Sequence, residues 1–231
     1  MITYRIMDAT CPLPTCLHGG PLPLACQAPA YVETVSDIPP GTVARTLQAI
    51  STQYGACGVL AVEGERVVGK IRAFPQAILD RTEICLQEEH YVRPLMALDP
   101  AELPSRDDYP VLHLLCMQVT NTYAGQGIAG DMLDALIAWA RANGWRELRA
   151  RAVSHIPPLL NWCGQLSRAA LERRGFAVTG SAIHPDLREV VVAQRTGVHG
   201  DAVRWQWEAF AHLSDAEAGT MFDMALDFTH H

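Results

Sequence analysis

The sequence predicts a domain of the α/β or α+β class built on a mixed sheet, because strand-like and helix-like segments alternate along the chain. Three observations support this prediction. Two runs rich in Val and Ile flank the short turn "EGE" within residues 57–74, an uninterrupted apolar run occupies residues 111–119, and a glycine-rich loop joins that run to an amphipathic helix. The 231 residues, 49% of them hydrophobic, suffice for one large domain or for a domain with an extension.

Composition argues against several functional classes. A formal charge of −7 and the lack of any Lys/Arg-rich run argue against a nucleic-acid-binding protein. No apolar run reaches the ~18 residues of a membrane span, and the start "MITYRIMDAT" does not resemble a signal peptide. Seven cysteines, an odd number, predict reduced thiols and therefore a cytoplasmic protein.

The first half of the chain begins with an irregular arm rich in proline and cysteine, which we place at residues 1–35. A helix is predicted over residues 39–55, since apolar residues recur there at helical spacing and a glycine stands near its end. The strand pair at 57–74 and a continuous apolar strand at 111–119 follow. Residues between them are mixed, and "LDPAELPSRDDYP" is typical of a loop.

The second half continues the alternation of helices and strands. An apolar stripe after the glycine loop predicts a helix that ends at "NG". Further elements are predicted in chain order: a strand at 147–153, a helix at 166–176, a strand at 188–196 and a capped helix beginning at Ser214, with Glu217 completing the capping box. We therefore expect a helical C-terminal extension over 198–231, in which His230 and His231 match the stub of a purification tag and receive no function.

The stretch "TYAGQGIAGDML" (122–133) has the residue types of an anion site. Glycines between a strand and a helix let an anion approach free backbone N–H groups at the positive end of the helix dipole. The loop lacks the lysine of a Walker motif, which excludes an ordinary P-loop. It does match G-x-G-x-x-G, and Glu147 stands about 20 residues further on. A dinucleotide site therefore stays open, as does a turn whose glycines only permit tight packing.

The segment "VTNTYAGQGIAGDMLDALIAWARANGW" resembles the acetyl-CoA-binding segment of the GCN5-related N-acetyltransferases (GNAT). In that family a Val is followed, after four residues, by Arg/Gln-x-x-Gly-x-Gly/Ala. Val119, Gly127 and Ala129 match this pattern, whereas Ala124 stands at the Arg/Gln place. "VLAVEGERVVGKIRAF" is similar to the second and third strands of the family, and "ALERRGFAV" to its late helix-to-strand step. The resemblance covers residues 40 to 195, and we assign residues 36–197 to the acetyltransferase domain.

The resemblance implies a mixed, mostly antiparallel central sheet flanked by helices, here with N- and C-terminal extensions. It implies acetyl-CoA as cosubstrate, no metal, and transfer of an acetyl group to a primary amine of a small molecule or peptide. The alternative is a non-catalytic acyl-CoA-binding or sensor domain on the same fold. A homodimer is left open. The residues expected to contact acetyl-CoA are Met117, Val119, Ala124, Gly125, Gln126, Gly127, Ile128 and Ala129.

His113 is the candidate general base. It lies six residues before Val119, where several members of the family keep a glutamate, and imidazole titrates near neutral pH. Strand alternation predicts that His113, Leu115, Met117 and Val119 share one side of the strand. The alternative is a histidine that only packs at a strand end. Glu88, Glu89 and His90 form a second polar cluster, either lining an amine pocket or lying in a solvated loop.

The general acid is not evident from the sequence. Many members have a tyrosine four residues before the late glycine, and here that place is Leu171; Ser167 lies one helical turn earlier. A loose set formed by Cys11, Cys16, His18 and Cys26 has the atom types of a zinc site but not its usual spacing. We therefore expect free thiols and no metal.

Overall fold

The structure is a computed structural model that describes residues 1–11, 17, 20–24, 39, 41–79, 103–105 and 110–229. It divides into two compact units, one formed by Met1–Leu148 with Phe228–His231 and the other by Arg149–Asp227. No helix in the described part of the chain is long and apolar enough to cross a membrane.

The first unit is built on an antiparallel sheet. Its strands are β1 (Ile2–Ile6), β2 (Leu22–Pro23), β3 (Gly58–Glu63), β4 (Arg66–Pro75) and β5 (Val111–Val119). Its helices are α1 (Thr42–Tyr54), α2 (Gln76–Leu79) and α3 (Ile128–Ala142), with a short 3-10 turn at Asn121–Tyr123. The strands run in the order β1-β3-β4-β5, and β2 pairs with β4. The predicted helix at 39–55, the strand pair and the strand at 111–119 are thus confirmed.

Helix α3 packs closely on one face of this sheet. A Cβ atom built at Gly69 of β4 would lie 3.0 Å from Met132 Cε and 3.3 Å from Ala61 Cβ, so the bare glycine backbone makes the close approach possible. The apolar stripe predicted from the sequence is the buried side of the helix, formed by Ile128, Met132, Leu133, Leu136, Ile137 and Ala140. This packing fixes the start of α3, and with it the glycine loop, against β3 and β4.

The second unit combines parallel and antiparallel pairing. Its strands are β6 (Glu147–Val153, which enters this unit at Arg149), β7 (Leu166–Ser167), β8 (Ala177–Ile183) and β9 (Thr220–Asp227). Its helices are α4 (Pro157–Cys163), α5 (Arg168–Glu172), α6 (Pro185–Arg195), α7 (Asp201–Gln206) and α8 (Asp215–Ala218). β7 is parallel to β6, whereas β8 and β9 are antiparallel. The predicted fold class, a mixed and mostly antiparallel sheet flanked by helices, is confirmed.

The strand predicted at 188–196 is wrong, because these residues belong to helix α6. Pro185 stands in the first turn, where its fixed φ favours a helix start. Leu187, Val191 and Gln194 are the buried residues of the helix, and their spacing of four and three is the helical period. Burial of this stripe outweighs the strand preference of three consecutive valines.

The prediction that the C-terminal extension is helical is wrong for its last segment, which forms a strand. The capping box is confirmed, since the Ser214 side chain accepts from Glu217 N and the Glu217 side chain accepts from Ser214 N. Helix α8 nevertheless ends at Ala218, and Thr220–Asp227 forms β9. A Cβ at Gly219 would lie 2.9 Å from Asp215 O and 3.0 Å from Arg188 Cα, so the chain turns there in close contact with α6.

The predicted helix at 166–176 is shorter than expected. Leu166 and Ser167 pair with β6, and only Arg168–Glu172 is helical. The N-terminal arm is likewise not wholly irregular, because Ile2–Ile6 forms β1 against β3. Several residues singled out from the sequence lie outside the described residues: Cys16, His18, Cys26, Glu88, Glu89, His90, His230 and His231.

Strand β1 is tied to the first turn of α3 by one strong hydrogen bond. The Tyr4 hydroxyl donates to Asp131 Oδ2 at 2.6 Å. Burial, this hydrogen bond and the charge of Asp131 raise the pKa of Tyr4 from 10.0 to about 12. The stabilisation that this hydrogen bond gives is therefore fully present at pH values below the pKa of Tyr4 in the unfolded chain. It is lost as the pH rises through the pKa of about 12 in the folded protein.

Tyr4→Phe is expected to lower the free energy of unfolding by about 1 kcal/mol at pH 7, since it deletes a hydrogen bond to a charged acceptor at a half-buried position. Urea unfolding at pH 7 and at alkaline pH measures the effect, and the difference from wild type should shrink at alkaline pH. Asp131→Asn is the control, because it keeps an acceptor oxygen but removes the charge. Equal stability of wild type and Tyr4→Phe at pH 7 contradicts the assignment.

Candidate functional site

The glycine loop is an open turn between β5 and α3. Gly125 has φ 76° and Gly127, which caps α3, has φ 82°, both in the left-handed region that favours glycine. A Cβ atom built at either residue would meet no atom of the described residues within 4 Å. The glycines therefore do not make room for packed protein atoms, which removes the reason for the tight-packing alternative. The space in front of them contains no atom of the described residues, and a ligand would fit there.

Backbone donors in the loop form a continuous run. Tyr123 N and Ala124 N donate to Thr120 O and Asn121 O, and the first bond that closes α3 runs from Asp131 N to Gly127 O. Within the described part of the chain, no backbone oxygen accepts from the N–H groups of residues 125–130. These groups lie at the positive end of a 15-residue helix. Together they make a donor array suited to a diphosphate.

Two phenol–carboxylate hydrogen bonds hold the loop in place. Tyr123, at the end of the 3-10 turn, donates to Glu63 Oε2 at 2.5 Å, and this bond raises the pKa of Tyr123. Tyr4 holds Asp131 in the first turn of α3, as described above. The loop is thus fixed on one side to the end of β3 and on the other to β1. Sequence alone did not identify these anchors, because each joins residues 60 or more positions apart.

The end of β5 is the accessible part of that strand. Residues 111–115 are buried, whereas Cys116, Met117, Gln118 and Val119 are half-buried. Met117 and Val119, the strand residues expected to contact acetyl-CoA, therefore lie where the strand becomes accessible and leads into the loop. All eight residues predicted to bind the cosubstrate fall within this one continuous tract, residues 117–129.

A β-bulge in β5 changes which side chains share a face. Ile71 of β4 is opposite Met117, but Ala73 is opposite Leu114, so the two-residue step on β4 faces a three-residue step on β5. The extra residue falls at positions 115–116. Side chains of directly opposite residues share a face of the sheet. The alternation of side chains between the two faces of the sheet is therefore shifted by one residue between Leu114 and Met117, and these two residues share a face.

His113 consequently lies on the other face from Met117 and Val119. It is opposite Phe74, whereas Val119 is opposite Gly69 on the face covered by α3. The expectation that His113, Leu115, Met117 and Val119 share one side is wrong, because simple alternation does not allow for an inserted residue. His113 shares its face with the buried side chains of Lys70 and Arg72 and with half-buried Gln118.

The hydrogen bond of His113 fixes its tautomer. His113 Nδ1 lies 2.8 Å from Gln76 Oε1, and the imidazole is buried, with 6% exposed. An amide oxygen only accepts, so in this arrangement Nδ1 carries the proton and donates. The lone pair of the neutral ring is then on Nε2. In this tautomer the ring accepts a proton only through Nε2.

Neither Leu171 nor Ser167 is placed as a general acid. Leu171 is fully buried in α5. Ser167 is the N-cap of the same helix, and its Oγ accepts from Ala170 N at 3.2 Å. Its role in the structure is to cap the helix, which is the ordinary use of serine at that position.

In the described part of the chain, no group of three or more His, Cys, Asp or Glu residues is arranged to hold a metal ion. Cys11 and Cys57 are buried, and burial raises the pKa of the Cys57 thiol to about 11. The expectation of no zinc stays a prediction, because the other residues of the Cys-rich set lie outside the described part.

Comparison with known proteins finds distant similarity to solved structures. No family model matches the sequence, and no curated protein of similar sequence was found. Among solved structures, the ribosomal-protein-S18-alanine N-acetyltransferase from Escherichia coli is 13% identical, with 100% of this chain and 96% of that one covered and a TM-score of 0.48. The IAA acetyltransferase from Bacillus cereus is 11% identical, with 99% and 100% covered and a TM-score of 0.44.

A third neighbour is an acetyltransferase of the GNAT family from Streptococcus pneumoniae, with 12% identity and a TM-score of 0.40. The match covers 74% of this chain and 66% of the Streptococcus chain. All three of these solved structures are named as acetyltransferases, and one of them is named as a member of the GNAT family. At these identities and scores the likeness assigns no activity, so the functional argument depends on the geometry of the loop and of β5.

Proposed function

We propose that the chain is an acetyl-CoA-dependent N-acetyltransferase that moves an acetyl group to a primary amine. The observation that best supports this is the run of backbone N–H groups at residues 125–130, which follows directly on the accessible end of β5. These groups would hold the diphosphate of acetyl-CoA. Residues Met117 to Val119 would contact its pantetheine arm. The thioester supplies an activated acetyl group.

The proposed role of His113 is to take a proton from the acceptor amine. A protonated amine has no lone pair, so a base must act before the amine attacks the thioester. Neutral His113 presents its lone pair at Nε2, because Gln76 accepts from Nδ1. Since His113 lies on the opposite face from Met117, we propose that the proton passes through water rather than by direct contact beside the thioester.

The leaving thiolate is proposed to depart without a tyrosine acid. Leu171 stands at the place where many members of the family have that tyrosine, and it is fully buried. Thiolate is a tolerable leaving group, so protonation by water suffices. The acceptor is proposed to be cationic, because a net charge of −7 steers cations toward the protein. A polyamine, an aminoglycoside or a lysine-bearing peptide has this chemistry.

A second candidate is a non-catalytic acyl-CoA-binding or sensor domain in the cytoplasm. Two observations favour it. Ala124 offers no side chain at the place of the family's Arg/Gln, and buried Leu171 removes the usual acid. Both candidates require the same donor array, and they differ only in turnover.

The experiment that separates the two candidates measures thiol release from acetyl-CoA against a panel of amines. The panel contains polyamines, aminoglycosides and lysine-bearing peptides, with the same compounds N-acetylated as controls. Catalysis predicts thiol release that requires a free amine and matches the amount of acetylated product. Binding of acetyl-CoA without thiol release for any amine supports the sensor instead. No binding at all contradicts both.

A further inference from the structure

The donor array at residues 125–130 has few internal bonds to hold it in shape. Within the described part of the chain, no backbone oxygen accepts from its N–H groups. Its sequence, "GQGIAG", contains three glycines, and glycine loses more conformational freedom on ordering than any other residue. A loop that is ordered only when the ligand arrives uses binding free energy for that ordering. The affinity for a ligand therefore depends on what orders the array beforehand.

Two phenol–carboxylate hydrogen bonds bracket the array. Tyr123, which lies two residues before it, donates to Glu63 Oε2 at 2.5 Å. Asp131, the residue directly after it, accepts from the Tyr4 hydroxyl at 2.6 Å through Oδ2. Each end of the array is thus bonded to a strand, while the N–H groups between the two ends stay available to a ligand.

The two strand residues of this bracket lie on one face of the sheet. β1 and β3 are antiparallel neighbours, and Tyr4 is directly opposite Ala61. Glu63 lies two residues further along β3 and so points to the same side as Ala61. Helix α3 packs on this face, because a Cβ built at Gly69 would approach both Ala61 Cβ and Met132 Cε. The sheet therefore holds the array from the side on which α3 lies.

We propose that the four residues of these two hydrogen bonds are positioning residues, which order the donor array before acetyl-CoA binds. The inference rests on the proposed function, because it takes the diphosphate of acetyl-CoA as the ligand of the array. The four side chains act on the ligand through the backbone between the two bonds rather than by contact. Their contribution is to affinity, since a loop that is already ordered leaves more of the binding free energy for the complex.

Calorimetric titration with acetyl-CoA tests this inference. Tyr123→Phe is expected to weaken binding by about 5–10-fold, because part of the binding free energy must then order the loop. Tyr54→Phe is the matched control, since the Tyr54 hydroxyl donates to Pro104 O at 2.6 Å. Tyr54 precedes Gly55, whose built Cβ lies 3.5 Å from Trp139 near the C-terminus of α3. This control should lose stability but bind acetyl-CoA like wild type.

Variants of Glu63 separate the hydrogen bond from the charge. Glu63→Gln removes the charge but keeps an acceptor oxygen for the Tyr123 hydroxyl, so it should bind acetyl-CoA more tightly than Glu63→Leu. Glu63→Leu should weaken binding by the same factor as Tyr123→Phe. The double variant should be no weaker than either single change, because both remove the same bond. Additive losses would show that the two residues act separately and would overturn the inference.

Tyr4→Phe removes the other hydrogen bond of the bracket and should weaken binding by a similar factor. Circular dichroism melts confirm that each variant is folded at the temperature of the titration. If wild type binds acetyl-CoA and both Phe variants, at 4 and 123, bind it equally well, the inference alone is overturned. It is also overturned if Tyr54→Phe weakens binding as much as they do. A wild type that does not bind acetyl-CoA contradicts the proposed function and this inference together.

Discussion

Gly127→Asp is expected to lower the affinity for acetyl-CoA by at least ~10²-fold. The change places a Cβ atom and a negative charge before the α3 N-terminus, where Gly127 has φ 82° and no atom of the described residues lies within 4 Å of a Cβ built there. Loss of two hydrogen bonds from backbone N–H groups to the diphosphate would cost about 1.5–3 kcal/mol each. Since 1.4 kcal/mol is a factor of ten in affinity, a hundredfold loss is the lower end of the expectation.

Gly144→Asp is the matched control for this variant. Gly144 also has a positive φ, 76°, and in the part of the chain that the structure describes nothing lies within 4 Å of a Cβ built on it, but it follows the C-terminus of α3. Both variants should lose similar stability, because both force a side chain into the left-handed region. Isothermal calorimetry should show weakened binding for Gly127→Asp only. Equal affinities for the two variants would place acetyl-CoA elsewhere.

His113→Ala is expected to lower kcat by ~10²-fold or more, the usual contribution of a general base. Acetyl-CoA affinity should change little, because His113 lies on the other face of β5 from Met117 and Val119. The pH–rate profile supplies a second readout. Activity of the wild type should rise with pH as the imidazole of His113 loses its proton.

His113→Gln distinguishes a base from a packing residue. Glutamine keeps a polar side chain of similar reach but cannot accept a proton at these pH values, so it should not restore kcat and should abolish the rise of activity with pH. Gln76→Leu removes the acceptor for Nδ1 and should lower kcat by a smaller factor. Full turnover of His113→Ala at pH 7 would show that His113 only packs within the strand, and the base would then be sought among residues 88–90.

The sequence correctly predicted those parts of the fold that are determined by residues close together along the chain. The stripe of α3, the turn between β3 and β4, and the capping box at Ser214 each depend on residues a few positions apart. The strand β9 could not be found this way. A capping box marks where a helix begins but not where it ends, and β9 is stabilised by pairing with β8, some forty residues earlier.

The candidate site was likewise predictable only in part. The strand, the glycine loop and the helix follow one another directly in the sequence. The predicted contact residues lie together in the structure because they are already neighbours along the chain. The face that His113 occupies depends instead on the bulge opposite β4. No local pattern marks that inserted residue. The anchors Tyr123–Glu63 and Tyr4–Asp131 join distant segments and were not identifiable from spacing.

Direct titration of the wild-type protein with acetyl-CoA by isothermal calorimetry tests the central claim, that the donor array at residues 125–130 binds an acyl-CoA diphosphate. NAD, which also has a diphosphate, is titrated in parallel. We predict saturable binding of acetyl-CoA at one site per chain, competition by coenzyme A, and no comparable binding of NAD. Absence of heat with acetyl-CoA under conditions where the protein is folded, or preferential binding of NAD, would contradict the account.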